Sequence, residues 1–199
     1  MQNNMNNMQF ISIEVLKEHG YSLYKINQFV KSGKLERINR SYYENLEYNG
    51  EINDFYTVPA YSQNKGVICL ISAASYYGLT TEKQVSIDVA VPRESRIPEY
   101  INWVGMEFYR FSKQRYETGI RKIEVGENYF YIYDIEKTVC DIIFYRNKLG
   151  FEPAIEILRN YLGMKNRNIN KLMKYAKLLR IESFMRQILG VMIWKMPVQ

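Results

Sequence analysis

The chain has 199 residues and a formal charge of +6, from 27 Lys and Arg against 21 Asp and Glu, with a pI near 9.1. Hydrophobic residues at 47% and charged residues at 24% set it among folded globular chains and exclude a disordered one. Its longest apolar runs, such as residues 67–71, fall far short of the ~20 residues that cross a bilayer, and the amide-rich start lacks the basic and apolar regions of a signal peptide.

The first eight residues are expected to fray, and order is expected from Phe10. Ser12 caps a short helix that Gly20 ends, with Ile13, Val15 and Leu16 as its apolar residues. Ser22 caps a second helix, Leu23 to Ser32, ended by Gly33. On a 3.6-residue wheel Leu23, Ile26, Phe29 and Val30 share a face, while Tyr24, Gln28 and Lys31 point away and Lys25 and Asn27 flank them. Two short helices joined by a Gly-containing turn are a helix-turn-helix pattern. Residues 35–40 then alternate apolar and polar, Ser41 turns and Tyr42-Tyr43 begins a second extended piece, so a hairpin follows the second helix as a wing, with Arg37, Asn39 and Arg40 at its tip.

Residues 54–64 read as a connecting helix in which Pro59 introduces a kink, and residues 72–78 as a short helix capped by Ser72. Strands are expected at 85–91, 107–111, 120–125 and 129–133, with Pro92 and Pro98 bounding a loop and residues 126–128 forming a hairpin turn. From Asp134 the period becomes helical: 135–148, then a helix opened by Pro153 and closed by Gly163, then 169–180 and 182–194. The fold class expected is α+β, with a winged helix-turn-helix over residues 1–60 and a mixed α+β domain over residues 61–199 that ends in a basic helical bundle.

Charge is unevenly placed. Residues 151–199 hold nine basic and three acidic groups, which equals the excess of the whole chain, and residues 11–40 hold six basic and three acidic groups. Residues 41–60 add four carboxylates and no cation, so two basic segments flank an acidic one, a distribution suited to a polyanion such as double-stranded DNA. In the helix at 169–180, Lys171, Lys174 and Lys177 fall opposite the apolar stripe and offer a surface for DNA or for a protein partner.

Catalytic patterns are scarce. His19, the single histidine, ends a helix, where a partial positive charge suits the carbonyl end. Cys69 and Cys140 lie far apart in apolar stretches and read as buried thiols of a cytoplasmic protein. Glu124, Glu127, Asp134, Glu136 and Lys137 resemble a nuclease set only loosely, because Glu136 and Lys137 are adjacent and Asp134 serves as a helix cap. No phosphate-loop, dinucleotide or zinc-protease motif is present, so no enzyme, metal or cofactor is expected.

Three stretches carry a resemblance to the AbiEi antitoxin family of abortive-infection toxin–antitoxin systems. Gly33-Lys-Leu-Glu-Arg-Ile-Asn-Arg-Ser-Tyr-Tyr43 resembles its wing segment, and Cys69 to Leu79 is similar to its Ser-Ala helix ending in Gly-Leu. Tyr133 to Asp141 resembles its "P-E-[RK]-T-[LV]-x-D" helix start, with Asp134-Ile135 in place of the usual Thr-Pro pair. The resemblance implies a winged helix that represses its own operon at promoter inverted repeats, and a C-terminal domain that neutralises a nucleotidyltransferase-like toxin. A free-standing winged-helix regulator with a ligand- or partner-sensing C-terminal domain is the alternative. DNA contacts are expected from Ser22, Tyr24, Lys25, Asn27, Gln28, Lys31, Arg37, Asn39 and Arg40. No membrane is expected as partner.

Overall fold

Strand β1 (Phe10–Ser12) runs straight into helix α1 (Ile13–Glu18), because Ser12 is both its last extended residue and a cap whose Oγ accepts the Val15 N–H at 3.2 Å. The computed structural model describes residues 7–82, 85–95 and 105–194. Gly20, at φ +84°, lets the chain reverse within three residues of α1. Helix α2 (Leu23–Lys31) follows, and the hairpin of β2 (Leu35–Arg37) and β3 (Tyr42–Asn45) completes a three-stranded antiparallel sheet in the order β1-β3-β2. Ile26 is fully buried among Met8, Ile11, Leu16, Leu35 and Tyr43, which fastens α2 to the sheet and contributes about 2–3 kcal/mol.

A 3-10 turn (Asp54–Tyr56) and helix α3 (Thr57–Ser62) lead to the second sheet. It contains β4 (Val67–Ile68), then after α4 (Leu70–Tyr76) β5 (Ile87–Pro92) and β6 (Met106–Phe111), and after α5 (Lys113–Glu117) the hairpin of β7 (Ile120–Val125) and β8 (Asn128–Tyr133). Strand order is β6-β5-β4-β8-β7, with β5/β6 and β4/β8 parallel and β4/β5 and β7/β8 antiparallel. The chain is thus mixed α+β with a mixed sheet.

Side chains alternate between two cores, as the pleat requires. On one face Ile68, Val89, Phe130 and Ile132 meet Phe10, Tyr42, Tyr56 and Val58 of the N-terminal part. On the other, Val67, Ala90, Phe111 and Tyr133 meet a helical layer. That layer consists of α6 (Ile135–Phe144), α7 (Arg146–Leu149), α8 (Phe151–Gly163), α9 (Ile169–Leu178) and α10 (Glu182–Trp194).

Several expectations are corrected. Pro59 is the third residue of α3, where a missing N–H breaks no helical bond, so it introduces no kink. Ser72 lies inside α4 and does not cap it; the Asp88 carboxylate on β5 accepts the N–H groups of Ile71 and Ser72 at 3.0 and 3.4 Å, and Ser72 Oγ accepts the Asp88 N–H. Leu23 is 55% exposed, so the buried face of α2 rests on Ile26 with Phe29 and Val30 beside it. The helix expected over 135–148 breaks at Tyr145 into α6 and α7. Met8 is buried instead of frayed, while residues 1–6, Pro98 and Lys195 lie outside the described residues. The junction expected between residues 60 and 61 falls inside α3.

Between the sheet and α6 lies a buried ion cluster. Lys137 bonds to Asp141 one helical turn on, and Arg115 Nη1 reaches the other Asp141 oxygen at 2.5 Å. The Lys137 ammonium sits 3.8 Å from the Tyr133 ring centroid, and the Arg115 guanidinium 3.7 Å from that of Phe144. Burial holds the Lys137 ammonium below its ordinary pKa against the pull of Asp141. Gly119, at φ +79°, fits against this lysine: a Cβ there would stand 2.8 Å from Lys137 Cβ.

Candidate nucleic-acid interface

The turn between α1 and α2 is set by two caps. Ser22 Oγ accepts the Lys25 N–H at 3.3 Å and starts α2, while the His19 ring nitrogen Nδ1 lies 2.8 Å from the Val15 carbonyl at the end of α1. Ser22 is therefore engaged in starting the helix. Outward from α2 stand Tyr24 (73% exposed), Lys25, Asn27, Gln28 and Lys31. Lys25 arches over Phe29, its Nζ 5.2 Å from the ring centroid. The side chains of Tyr24, Asn27, Gln28 and Lys31 form no hydrogen bond or ion pair with another described residue. Such a face offers amide donors and acceptors beside a cation, the groups that read base edges and phosphates.

The hairpin tip divides into a fastened residue and an open one. Asn39 Oδ1 accepts the N–H groups of Ser41 and Tyr42 at 2.9 and 3.0 Å, and its Nδ2 donates to the Ala60 carbonyl at 2.9 Å. Its amide is used within the protein, locking the turn and tying the hairpin to α3. Arg37 is exposed and donates from Nε to the Asn39 carbonyl at 3.1 Å. Arg40 is exposed, without an ion pair to any described residue. The hairpin is not uniformly basic: Glu36 faces Glu44 across the ladder, and burial plus that neighbouring charge raises the Glu44 carboxyl.

The lysines of α9 belong elsewhere. α9 lies in the helical layer, so the five-stranded sheet stands between them and the face of α2. Lys171 is not part of an open row: its Nζ pairs with Asp134 at 3.0 Å and Glu136 at 2.9 Å, at 38% exposure. Burial pulls the Lys171 pKa down, but the hydrogen bonds to Glu136 and Asp134 outweigh it and raise it. Asp134 also caps α6 through the Lys137 N–H and accepts the Tyr175 hydroxyl at 3.0 Å, and Glu136 lies 3.3 Å from the Tyr161 hydroxyl. Only Lys174 and Lys177 of the three project freely.

Of the residues with a loose likeness to a nuclease set, Glu124 pairs with Lys122, Asp134 and Glu136 converge on Lys171, and Lys137 pairs with Asp141. Among the described residues no group of three or more His, Cys, Asp or Glu could hold a metal ion, and no helix is long and apolar enough to cross a membrane. Cys69 and Cys140 are buried and unpaired, and burial pushes both thiols up. Sequence reasoning missed Asn128, whose side chain accepts the Gln9 N–H at 2.8 Å and donates to the Asn7 carbonyl at 3.0 Å, joining the N-terminal part to the β7–β8 hairpin. A scan against protein-family models gives no match for this chain, and a search of curated proteins gives none either.

Proposed function

We propose that this chain is a DNA-binding repressor whose N-terminal part acts as a winged helix, with α2 in the major groove and the β2–β3 hairpin as wing. One observation carries the reading. A β-α-α-β-β unit with sheet order β1-β3-β2 presents a capped helix whose outer face, Tyr24, Asn27, Gln28 and Lys31, has no described partner within the protein. Arg37 and Arg40 at the hairpin tip add phosphate or minor-groove contacts. The resemblance to AbiEi antitoxins extends the proposal: the repressed operon is the chain's own, and the protein neutralises a nucleotidyltransferase-like toxin.

Gel shifts on the promoter fragment of the chain's own operon and on random DNA of equal length test the first part. Gln28→Ala is expected to weaken the promoter complex by roughly 1–3 kcal/mol while leaving the random complex unchanged. Equal loss on both fragments, or no preference for the promoter by the wild type, overturns base reading by α2. Co-expression with the neighbouring gene tests the second part: rescue of growth supports an antitoxin, and promoter binding without rescue supports a free-standing regulator.

A further inference from the structure

β7 is an edge of the five-stranded sheet, and no described strand pairs with its outer side: five of its six residues are exposed, and only Ile123 is partly covered. The two-residue turn Gly126-Glu127 makes Val125 and Asn128 a hydrogen-bonded pair, so Val125, Ile123 and Arg121 spend their backbone groups on β8. Ile120, Lys122 and Glu124 turn theirs outward, and no described residue outside the sheet bonds to them. A six-residue strand with such an edge is a template for another strand.

We propose that a second copy of this chain occupies it, β7 against β7 antiparallel about a two-fold axis through Ile123. A two-fold perpendicular to the sheet keeps like faces on one side, so residues of equal parity meet. Neighbouring registers of that parity set Arg121 on Arg121, Lys122 on Lys122 or Glu124 on Glu124. The register centred on Ile123 alone sets Lys122 against the partner's Glu124, twice, as hydrogen-bonded ladder pairs, with Ile123 on the partner's Ile123 and Arg121 beside the partner's Val125 on the opposite face. Lys122 already holds Glu124 of its own strand, so the pair exchanges one carboxylate for another. Two five-stranded sheets join into one of ten strands. Because the N-terminal part packs on the Ile123 face, both copies present it on the same side of that sheet. The pairing itself does not depend on the DNA reading.

A strand pair is small beside the ~1,600 Å² of a stable interface, so a weak, concentration-dependent dimer is expected. Sedimentation of the full chain over a concentration series should show the mass rising from 23.7 kDa toward twice that value. Lys122→Glu and Glu124→Lys each oppose like charges at two positions and should weaken the dimer about tenfold. An equimolar mixture of the two variants, and the double variant K122E/E124K, should regain it, since opposite charges face each other again. Recovery in the mixture also shows that neither single variant failed by unfolding. Ile123→Cys should give a covalent dimer under mild oxidation, whereas Val125→Cys, whose copies lie four residues apart in this register, should not. A wild type that stays at 23.7 kDa at the highest soluble concentration, a mixture that stays monomeric, or cross-linking at Val125→Cys as ready as at Ile123→Cys overturns the proposal.

Discussion

Replacing Asp141 with Ala removes the anion between two cations in the interior. Side-chain exposure is 0% for Lys137 and Asp141 and 9% for Arg115, so water cannot take over the lost carboxylate. Breaking a buried pair by deleting one partner costs about 3–5 kcal/mol. The rings of Tyr133 and Phe144, each under 4 Å from a cation, return part of that, which sets the expectation near 3 kcal/mol. At roughly 2–4 °C per kcal/mol for a chain of this size, Tm falls by about 6–12 °C. The loss also depends on pH. Lys137 already titrates below its ordinary value because it is buried, and without Asp141 its charged form is disfavoured further. The native state then binds fewer protons than the unfolded state over a wider window below the ordinary lysine pKa of 10.5, and stability rises with pH across that window. Urea denaturation at about pH 7 and pH 10 measures both effects, with the defect of Asp141→Ala smaller at the higher pH. A loss under about 1 kcal/mol at neutral pH, or an equal loss at both, refutes the account of a paired, water-free cluster.

Asp88 predicts the opposite pH trend. Burial, against the N–H groups of Ser72 and Ile71, raises its carboxyl from 3.8 to about 6, so its contribution is complete below pH 3.8 and is lost as pH rises through 6. Relative to Asp88→Asn, wild-type stability should fall by roughly 2–3 kcal/mol over that interval in urea titrations, and parallel profiles would sink the assignment. Gly119→Ala meets both a positive φ and a 2.8 Å contact with Lys137, so thermal unfolding should report a loss of about 2 kcal/mol or more. Arg40→Ala should weaken DNA binding on all sequences and make the salt dependence shallower by about one ion; an unchanged slope excludes a phosphate contact there. Lys174→Glu with Lys177→Glu, which leaves the Lys171 pairs intact, should change DNA binding or toxin rescue without lowering Tm, and loss of neither shows a solvated surface only.

Local chemistry carried most of the legible fold. Ser12, Ser22 and Asp134 cap the helices that begin beside them, and the 126–128 turn joins the strands it was expected to join. These signals act within four residues, so the sequence displays them directly. What was illegible depends on partners distant in the chain. Ser72 has the composition of a cap, but the cap of α4 comes from Asp88, sixteen residues on. Lys171 follows the spacing of an exposed row, yet Asp134 and Glu136 are brought to it by the packing of α9 on α6. Lys137 and Asp141 have the spacing of a surface ion pair on a helix, and only the layers above and below make them interior. Asn39 illustrates the same limit in the interface: its place at the turn was readable, its bond to Ala60 was not.

The shared core beneath the N-terminal part bears on how such a chain changes over time. Phe10, Tyr42, Tyr56 and Val58 close one face of the central sheet over Ile68, Val89, Phe130 and Ile132. A recombination that removed residues 7–62 as a block would strip that face, exposing a contiguous apolar surface prone to aggregation. Point changes on the outer side of α2, at Tyr24, Asn27, Gln28 or Lys31, leave that core untouched, so this surface is free to vary where the block beneath it is not free to be exchanged as a cassette.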